Sequence, residues 1–511
     1  EQGSLYVYNE RYLKYEGKFF LNYARNFGEK LLLTLHGGFD ISKSTTTTDA
    51  YTAYGFYKPE LHAPNFAAGF GEGKRPSGSD DISTSVGPFV NANLIVLNRY
   101  FVDGSFRRSG SSKFGDENRF APFWSVGAGW NIHNEEFATR FGWLNTLRLR
   151  YSYGVTGNVN YSPYQAVTTY VYNGDNFYLH GIGAIPKTMG NKDLKWDLTK
   201  EHNIGLNAEF LNGRFSAVLD YYVKTTDDVL VDMSVPPSVG ETMVRANLGQ
   251  VRNSGFEFDI SALIVVTKDW RFSLKVNGDH NKNKILGISN GLAKYNEEAN
   301  ADGSSAPKIL YTEGESESAI YAVRSAGINP ATGQEVFIKK NGAWTLEYDL
   351  NDKVVVGDTE PWLKGAFFPM LSYKGWQMTL AFEYNFGGQI YNLTRAKNVE
   401  NVNPRNNVDR RAFEQRWKNV NDVPPYLDIA NASDRENYHT SRFVEDDNNV
   451  ICRNIELSYE FNSEILKKAG FKRLRISAGM KDPFRMSTVK FERGTDYPFS
   501  RGFTFSISPT F

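Results

Sequence analysis

The sequence predicts an all-β protein, a transmembrane antiparallel β-barrel, and three observations carry that prediction. Short segments in which every second residue is apolar recur along the whole 511 residues. The connections between them alternate between short and long, and large aromatic side chains gather beside the short ones. Successive side chains of a strand point to opposite faces, so each such segment needs an apolar medium on one side and a polar one on the other.

The composition permits this architecture and excludes others. Aromatic residues make up 14% and glycine is abundant at 45 residues, yet charged residues reach 23%. No apolar run approaches the roughly 18 to 20 residues that a spanning helix needs. A barrel strand spans with such a composition because only every second residue meets lipid. The 58 basic and 58 acidic residues cancel, so there is no electrostatic case for nucleic acid as a partner. Cys452 is the only cysteine, which excludes an intramolecular disulfide and a zinc site built on several thiolates; it reads as a small, half-buried strand residue. The opening EQGSLYVYNE shows no basic segment followed by an apolar core. An exported chain is made with such a leader, so either it was removed or residue 1 is not the natural start.

Taken in order, Phe19 to Phe27 and Leu31 to Ile41 form a first hairpin around Asn26 to Glu29, followed by a polar loop from Thr45 to Ser85. Val86 to Val96 and Arg99 to Arg108 pair across Leu97 and Asn98, and GSSKFGDEN leads into Phe120 to Ile132. The next strand, Leu144 to Val155, puts Leu147, Leu149, Tyr151 and Tyr153 on one face. After a long loop, Ile204 to Phe210 and Phe215 to Val223 alternate around Asn212 and Gly213, a sequence suited to a tight hairpin. Phe256 to Ala262 and Phe272 to Val276 repeat the pattern.

The longest interruption, Lys282 to Lys364, is polar and contains a candidate hairpin at Val336 to Tyr348. Phe367 to Tyr373 then turns at Lys374 and Gly375 into the longest stripe in the chain: Trp376, Met378, Leu380, Phe382, Tyr384 and Phe386. In the next loop, Val408 to Val420 reads as a short helix that packs the loop through Phe413 and Trp417. Ile455 to Phe461, Leu474 to Met480 and the closing RGFTFSISPTF complete the set.

These segments number about fifteen, and the segregation of short turns from long loops is that of an outer-membrane barrel, with turns toward the periplasm and loops outside. A sandwich or propeller has no reason to sort its loops so. Trp143, Phe210, Trp270, Tyr373, Trp376, Phe471 and Phe511 then form a periplasmic aromatic girdle, while Leu380, Phe382, Phe503, Phe505 and Ile507 face lipid. Bacterial single-chain barrels have an even number of strands with both ends inside. About fifteen strands ending at the periplasm therefore predict that further strands come from another chain or fragment.

Several stretches resemble the C-terminal part of SusC/RagA-type TonB-dependent outer-membrane transporters of Bacteroidetes. They are YSYGVTGN (Tyr151 to Asn158), NKDLKWDLTKEHNIGL (Asn191 to Leu206), NGRFSAVLDYYVKTTDDVL (Asn212 to Leu230), NLGQVRNSGFEFDI (Asn247 to Ile260), AGINPATGQ (Ala326 to Gln334), VVGDTEPW (Val355 to Trp362) and the Phe511 terminus. Asn253 to Glu257 is the most specific of these. The chain departs from the family pattern at Ser109, where Asp is usual, and at Lys481 to Phe484, where Gln-Asn-Leu-Phe is usual. The resemblance implies a barrel of about 22 strands around a plug, residues 1–511 being its C-terminal barrel portion without the plug. It also implies a SusD-like surface lipoprotein as lid and import of oligosaccharides or peptides energised through TonB. The plug and the TonB-contacting segment would lie on the missing N-terminal fragment. A non-enzymatic surface binding or adhesion barrel and a passive porin are the competing readings.

No enzyme motif is present: there is no HExxH, GxSxG or GxxxxGK[ST], and GFGEGK at Gly69 to Lys74 lacks the spacing and the hydroxyl of a phosphate loop. No cofactor or metal is expected, because the seven histidines are scattered. Glu445, Asp446 and Asp447 could bind a cation, but an acidic run in a loop is usually just solvated. Substrate contacts are better sought among loop aromatics, on which sugars and peptides both stack. The candidates are Tyr170, Tyr172, Phe177 and Tyr178, with Trp344 and Tyr348; Tyr51, Tyr54, Phe56 and Tyr57 form a further cluster.

Overall fold

The computed structural model describes residues 3–511 apart from 57, 59, 62, 71–74, 160–161, 179–180, 228, 235–242, 248, 289–294, 298, 300–306, 404, 406, 430–437, 462–469 and 491–500. Fifteen strands follow one another in chain order in a single antiparallel sheet. They are β1 (Gly3–Phe27), β2 (Leu31–Phe56), β3 (Ser77–Val96), β4 (Tyr100–Ser111), β5 (Phe120–Asn131), β6 (Leu144–Asn158), β7 (Asp197–Phe210) and β8 (Phe215–Asp227). β9 (Gly249–Val266), β10 (Trp270–Ile288), β11 (Leu363–Tyr373), β12 (Trp376–Tyr391), β13 (Val444–Phe461), β14 (Arg473–Ser487) and β15 (Phe503–Thr510) complete the order. A sixteenth, the two-residue Gly69–Phe70, pairs with β2. No helix among the described residues is long and apolar enough to cross a membrane.

The strands outrun the apolar stripes that announce them. The expected loop from Thr45 to Ser85 is instead the continuation of β2 to Phe56 and of β3 from Ser77. Its polar side chains pair across the ladder, Thr47 Oγ1 donating to Asp80 at 2.6 Å and the Thr48 and Ser79 hydroxyls meeting at 2.8 Å. Ladder hydrogen bonds come from the backbone, so a strand persists where apolar alternation stops. Likewise β13 begins at Val444, which places Glu445, Asp446 and Asp447 in a strand. The short turns are left-handed where expected: Leu97 and Asn98 both have φ of 55°, and Leu211, Asn212 and Gly213 have 55°, 57° and 77°.

The chain divides into two compact units. The first is Glu1–Ala128, Tyr153–Lys200 and Asp227–Leu248. In it the connection between β4 and β5 folds onto the Asn191 to Trp196 segment: Phe114 stacks on Trp196 at 4.5 Å, and Leu194 is fully buried. The hairpin Thr169–Tyr178 with Gly181–Thr188 also belongs here.

The second unit is Gly129–Ser152, Glu201–Thr226 and Gly249–Phe511. Its two longest connections fold as one packed body. The first contributes a four-stranded sheet of Ala319–Ile328, Glu335–Ile338, Trp344–Thr345 and Lys353–Asp358. The expected hairpin at Val336 to Tyr348 is there, Ile338 pairing with Trp344. From the second, Ala396, Val399, Val402, Ala412, Tyr426 and Phe443 build a small core. The expected helix at Val408 to Val420 shrinks to Arg411–Glu414. Phe413 is exposed, and Trp417 lies against Gly333, whose φ of +68° and lack of a Cβ admit the ring.

Candidate functional site

The long sheet strands of the second unit sort their side chains onto two chemically distinct faces. On the apolar face, Phe367 stacks on Phe382 at 4.6 Å, and Ile204, Leu219, Tyr221 and Phe256 are exposed along a groove of about 510 Å³. Phe503, Phe505 and Ile507 are exposed on β15, Phe505 to 81%, and Leu380 is half-buried.

The opposite face is a lattice of paired polar groups. Arg150 holds Asp220 at 2.6 Å and donates to Asn207 at 3.0 Å. Arg453 bridges Glu383 at 2.7 Å and Asp482 at 3.2 Å, and Lys364 reaches Glu360 at 2.8 Å and Asp279 at 3.6 Å. At its centre the Asn253 side-chain oxygen accepts from the amides of Asn281 and Asn283, each at 3.0 Å. Asn283 also donates to Glu317, and Tyr222 donates to Asn281. Beside this hub a Cβ on Gly255 would run into the His280 carbonyl oxygen. The distinctive Asn253 to Glu257 stretch is thus a hydrogen-bond hub followed by a close strand contact.

The loop body is fastened by a buried ion cluster. Arg442 makes a two-pronged pair with Glu335, at 2.7 and 2.9 Å, and reaches Glu400 at 2.7 Å. Both carboxylates are 2% exposed. They hold the Arg442 guanidinium well above its ordinary pKa in spite of its burial. Arg416 donates beside them to the carbonyls of Ala412, Val399, Glu400 and Leu427. Nothing local in the sequence marks these residues, because Glu335 and Arg442 lie 107 positions apart.

The loop aromatics are placed unequally. Tyr170 and Tyr172 stand out on the Thr169–Tyr178 hairpin, Tyr172 with 78% exposure. Phe177 and Tyr178 fall in the same strand, and their side chains lie outside the described residues. Trp344 is 73% exposed at the rim of a groove of about 510 Å³ that includes Ile328, Pro330, Val336 and Leu346. Tyr348 is instead stacked on Tyr438 at 4.1 Å and takes a hydrogen bond from the His439 N–H; burial pushes its hydroxyl up to about 12. Tyr51 meets Phe70 edge-on, Tyr54 is exposed, and Tyr57 lies outside the described residues.

The acidic run on β13 is engaged within the fold. Glu445 pairs with Arg395, Asp446 accepts from Gln389 at 3.0 Å, and Asp447 accepts from Asn449 at 3.0 Å. No metal-holding group of His, Cys, Asp and Glu occurs among the described residues. Beside the short turns, aromatic rings meet in neighbouring pairs: Trp143 with Phe210 at 5.6 Å, Trp270 with Tyr373 at 4.2 Å, Trp376 with Tyr459 at 4.8 Å and Phe471 with Phe511 at 5.0 Å.

Residues 2–402 match the family described as TonB dependent receptor-like, beta-barrel. The chain belongs to that family. TonB-dependent receptor P39 of Formosa agariphila is 26% identical across 93% of this chain and 49% of its own length. TonB-dependent receptor SusC of Bacteroides thetaiotaomicron is 27% identical across 83% of this chain and 43% of its own. The chain therefore spans about half the length of the curated relatives it matches. The solved RagAB peptide transporter shares the fold, with a TM-score of 0.83 at 22% identity over 96% of this chain and 53% of that one. This TonB-dependent receptor barrel is an outer-membrane protein, and its strands are the wall of a transmembrane β-barrel.

Proposed function

We propose that the chain supplies barrel wall and extracellular loops to an importer of oligosaccharides or peptides, energised through TonB and closed outside by a SusD-like surface lipoprotein. The observation that carries this reading is the pairing of a receptor-barrel fold with a polar face of cross-strand ion pairs. In this reading the polar face lines the lumen, while Leu380, Phe382, Phe503, Phe505 and Ile507 meet lipid. Trp143, Trp270, Trp376 and Phe511 sit at the periplasmic interface. Residues 1–511 act as barrel, and the plug, its TonB-contacting segment and the remaining strands come from outside them. The fastened loop body gives a lid lipoprotein a firm seat. Tyr170, Tyr172 and Trp344 offer stacking faces to substrate, with Phe177 and Tyr178 on the same hairpin and Tyr348 bracing the loop behind Trp344.

The test is uptake of labelled oligosaccharides and peptides by cells carrying the complete system. Uptake should stop when TonB is removed or the proton gradient is collapsed. Uptake that persists would identify a passive porin, and binding without uptake a surface binding barrel. In the same cells Tyr170→Ala with Tyr172→Ala should weaken substrate binding roughly tenfold, on the scale of one or two lost stacking contacts; unchanged binding would remove this hairpin from the substrate path.

A further inference from the structure

The polar face holds a second feature, at the short-turn end of β9 to β12. A pocket of about 360 Å³ opens there, lined by Arg214, Arg271 and Lys275, by the hydroxyls of Ser273 and Thr379, and by Met370. Its charge is unbalanced. Lys275 is matched by Asp259 at 2.9 Å, but among the described residues Arg214 donates only to the backbone carbonyls of Leu263 and Ile264. Arg271 pairs with no carboxylate among the described residues. Elsewhere on this face Arg150, Lys364 and Arg453 each have an acidic partner. Two arginines with no acidic partner among the described residues therefore line one small space together with Ser273, Thr379 and Met370.

We infer that this pocket binds a carboxylate carried next to an apolar group. A guanidinium presents a planar fork of donors that fits the two oxygens of a carboxylate, Ser273 and Thr379 supply further donors, and Met370 packs the apolar neighbour. The position fits a late station on the route through the lumen, or a seat for an acidic side chain of a protein segment lying there. Both sources present the same chemistry. The inference rests on reading the polar face as the lumen wall.

The test uses the detergent-purified complete receptor and N-acetyl-L-leucine, with the neutral N-acetyl-L-leucinamide as control. Saturation-transfer NMR should detect the acid and not the amide, and Arg271→Gln should weaken its binding roughly tenfold, as expected for loss of a charge-assisted pair. If a protein carboxylate already fills the pocket, the acid will not bind. Carbodiimide coupling of Arg271→Lys receptor will then join that lysine to an acidic residue, which peptide mass spectrometry identifies. Acid binding that depends on Arg271 supports the solute source, and the cross-link supports the protein source. Absence of both, or equal binding of acid and amide, overturns the inference. The reading it rests on fails separately: if the polar face were not the lumen wall, Ser477→Arg, outside the pocket and two residues from the Arg475 that pairs with Glu456, would disrupt assembly as severely as Leu380→Arg.

Discussion

Asn253 and Asn283 stand opposite each other in the ladder between β9 and β10, and the Asn253 side-chain oxygen accepts the Asn283 amide at 3.0 Å. The same oxygen accepts from Asn281. Asn253→Ala removes the acceptor from two donors and should lower stability by about 1 to 3 kcal/mol. Gly255→Ala should do more damage, because its new Cβ meets the backbone oxygen of His280, which moves only if the strands part. Guanidinium unfolding of the purified barrel measures both, and a Gly255→Ala midpoint equal to wild type contradicts the strand-contact role.

The two faces of β12 differ at neighbouring positions. Leu380→Arg should cost about 2 to 4 kcal/mol, the range for a cation at the bilayer midplane. Thr379→Arg, on the face shared with Lys275 and Ser273, should assemble normally. The fraction of heat-modifiable barrel in outer-membrane extracts compares them, and equal yields would refute the assigned faces.

Arg442→Ala leaves Glu335 and Glu400 buried without their cation. Removing one partner of a buried pair costs about 3 to 5 kcal/mol, and here the loss should be confined to the loop body. Hydrogen exchange should rise across 319–358 and 392–443, while the strands β1 to β15 keep their protection.

Tyr348 carries a pH dependence of defined sign. Its hydroxyl is held at about 12 by burial, above the unfolded value of about 10. Its contribution is therefore complete below pH 10 and lost as pH rises through 12. Protease cleavage in the loop body should accelerate across that interval, and Tyr348→Phe, which cannot ionise, should flatten the response.

Much of the wall was legible because alternation is written locally. Phe256, Phe258 and Ile260, or Leu474 and Ile476, announce their strand whatever they later touch. Strand length was less legible: Thr45 to Thr48 show no apolar stripe, yet they extend β2 through ladder bonds that any side chain permits. At Leu97 and Leu211, left-handed backbone at an apolar residue follows from the strands on either side and not from a local turn preference.

The loop chemistry was legible only in part. Exposed Tyr170, Tyr172 and Trp344 stand out as aromatics in polar surroundings, but nothing separates Trp344 from the stacked Tyr348 in sequence. Arg442, Glu335 and Glu400 carry no pattern at all.

By itself the sequence determined the period of the strands, the order of short and long connections, and which residues share a face. These follow from covalent geometry, which turns each side chain opposite to the last. Tertiary structure alone decided which polar groups meet: Asn253 with Asn281 and Asn283, Arg442 with Glu335 and Glu400, and Arg214 with Arg271 around one pocket. Such encounters depend on ladder register and loop packing between residues far apart in the chain, and burial gives them their strength.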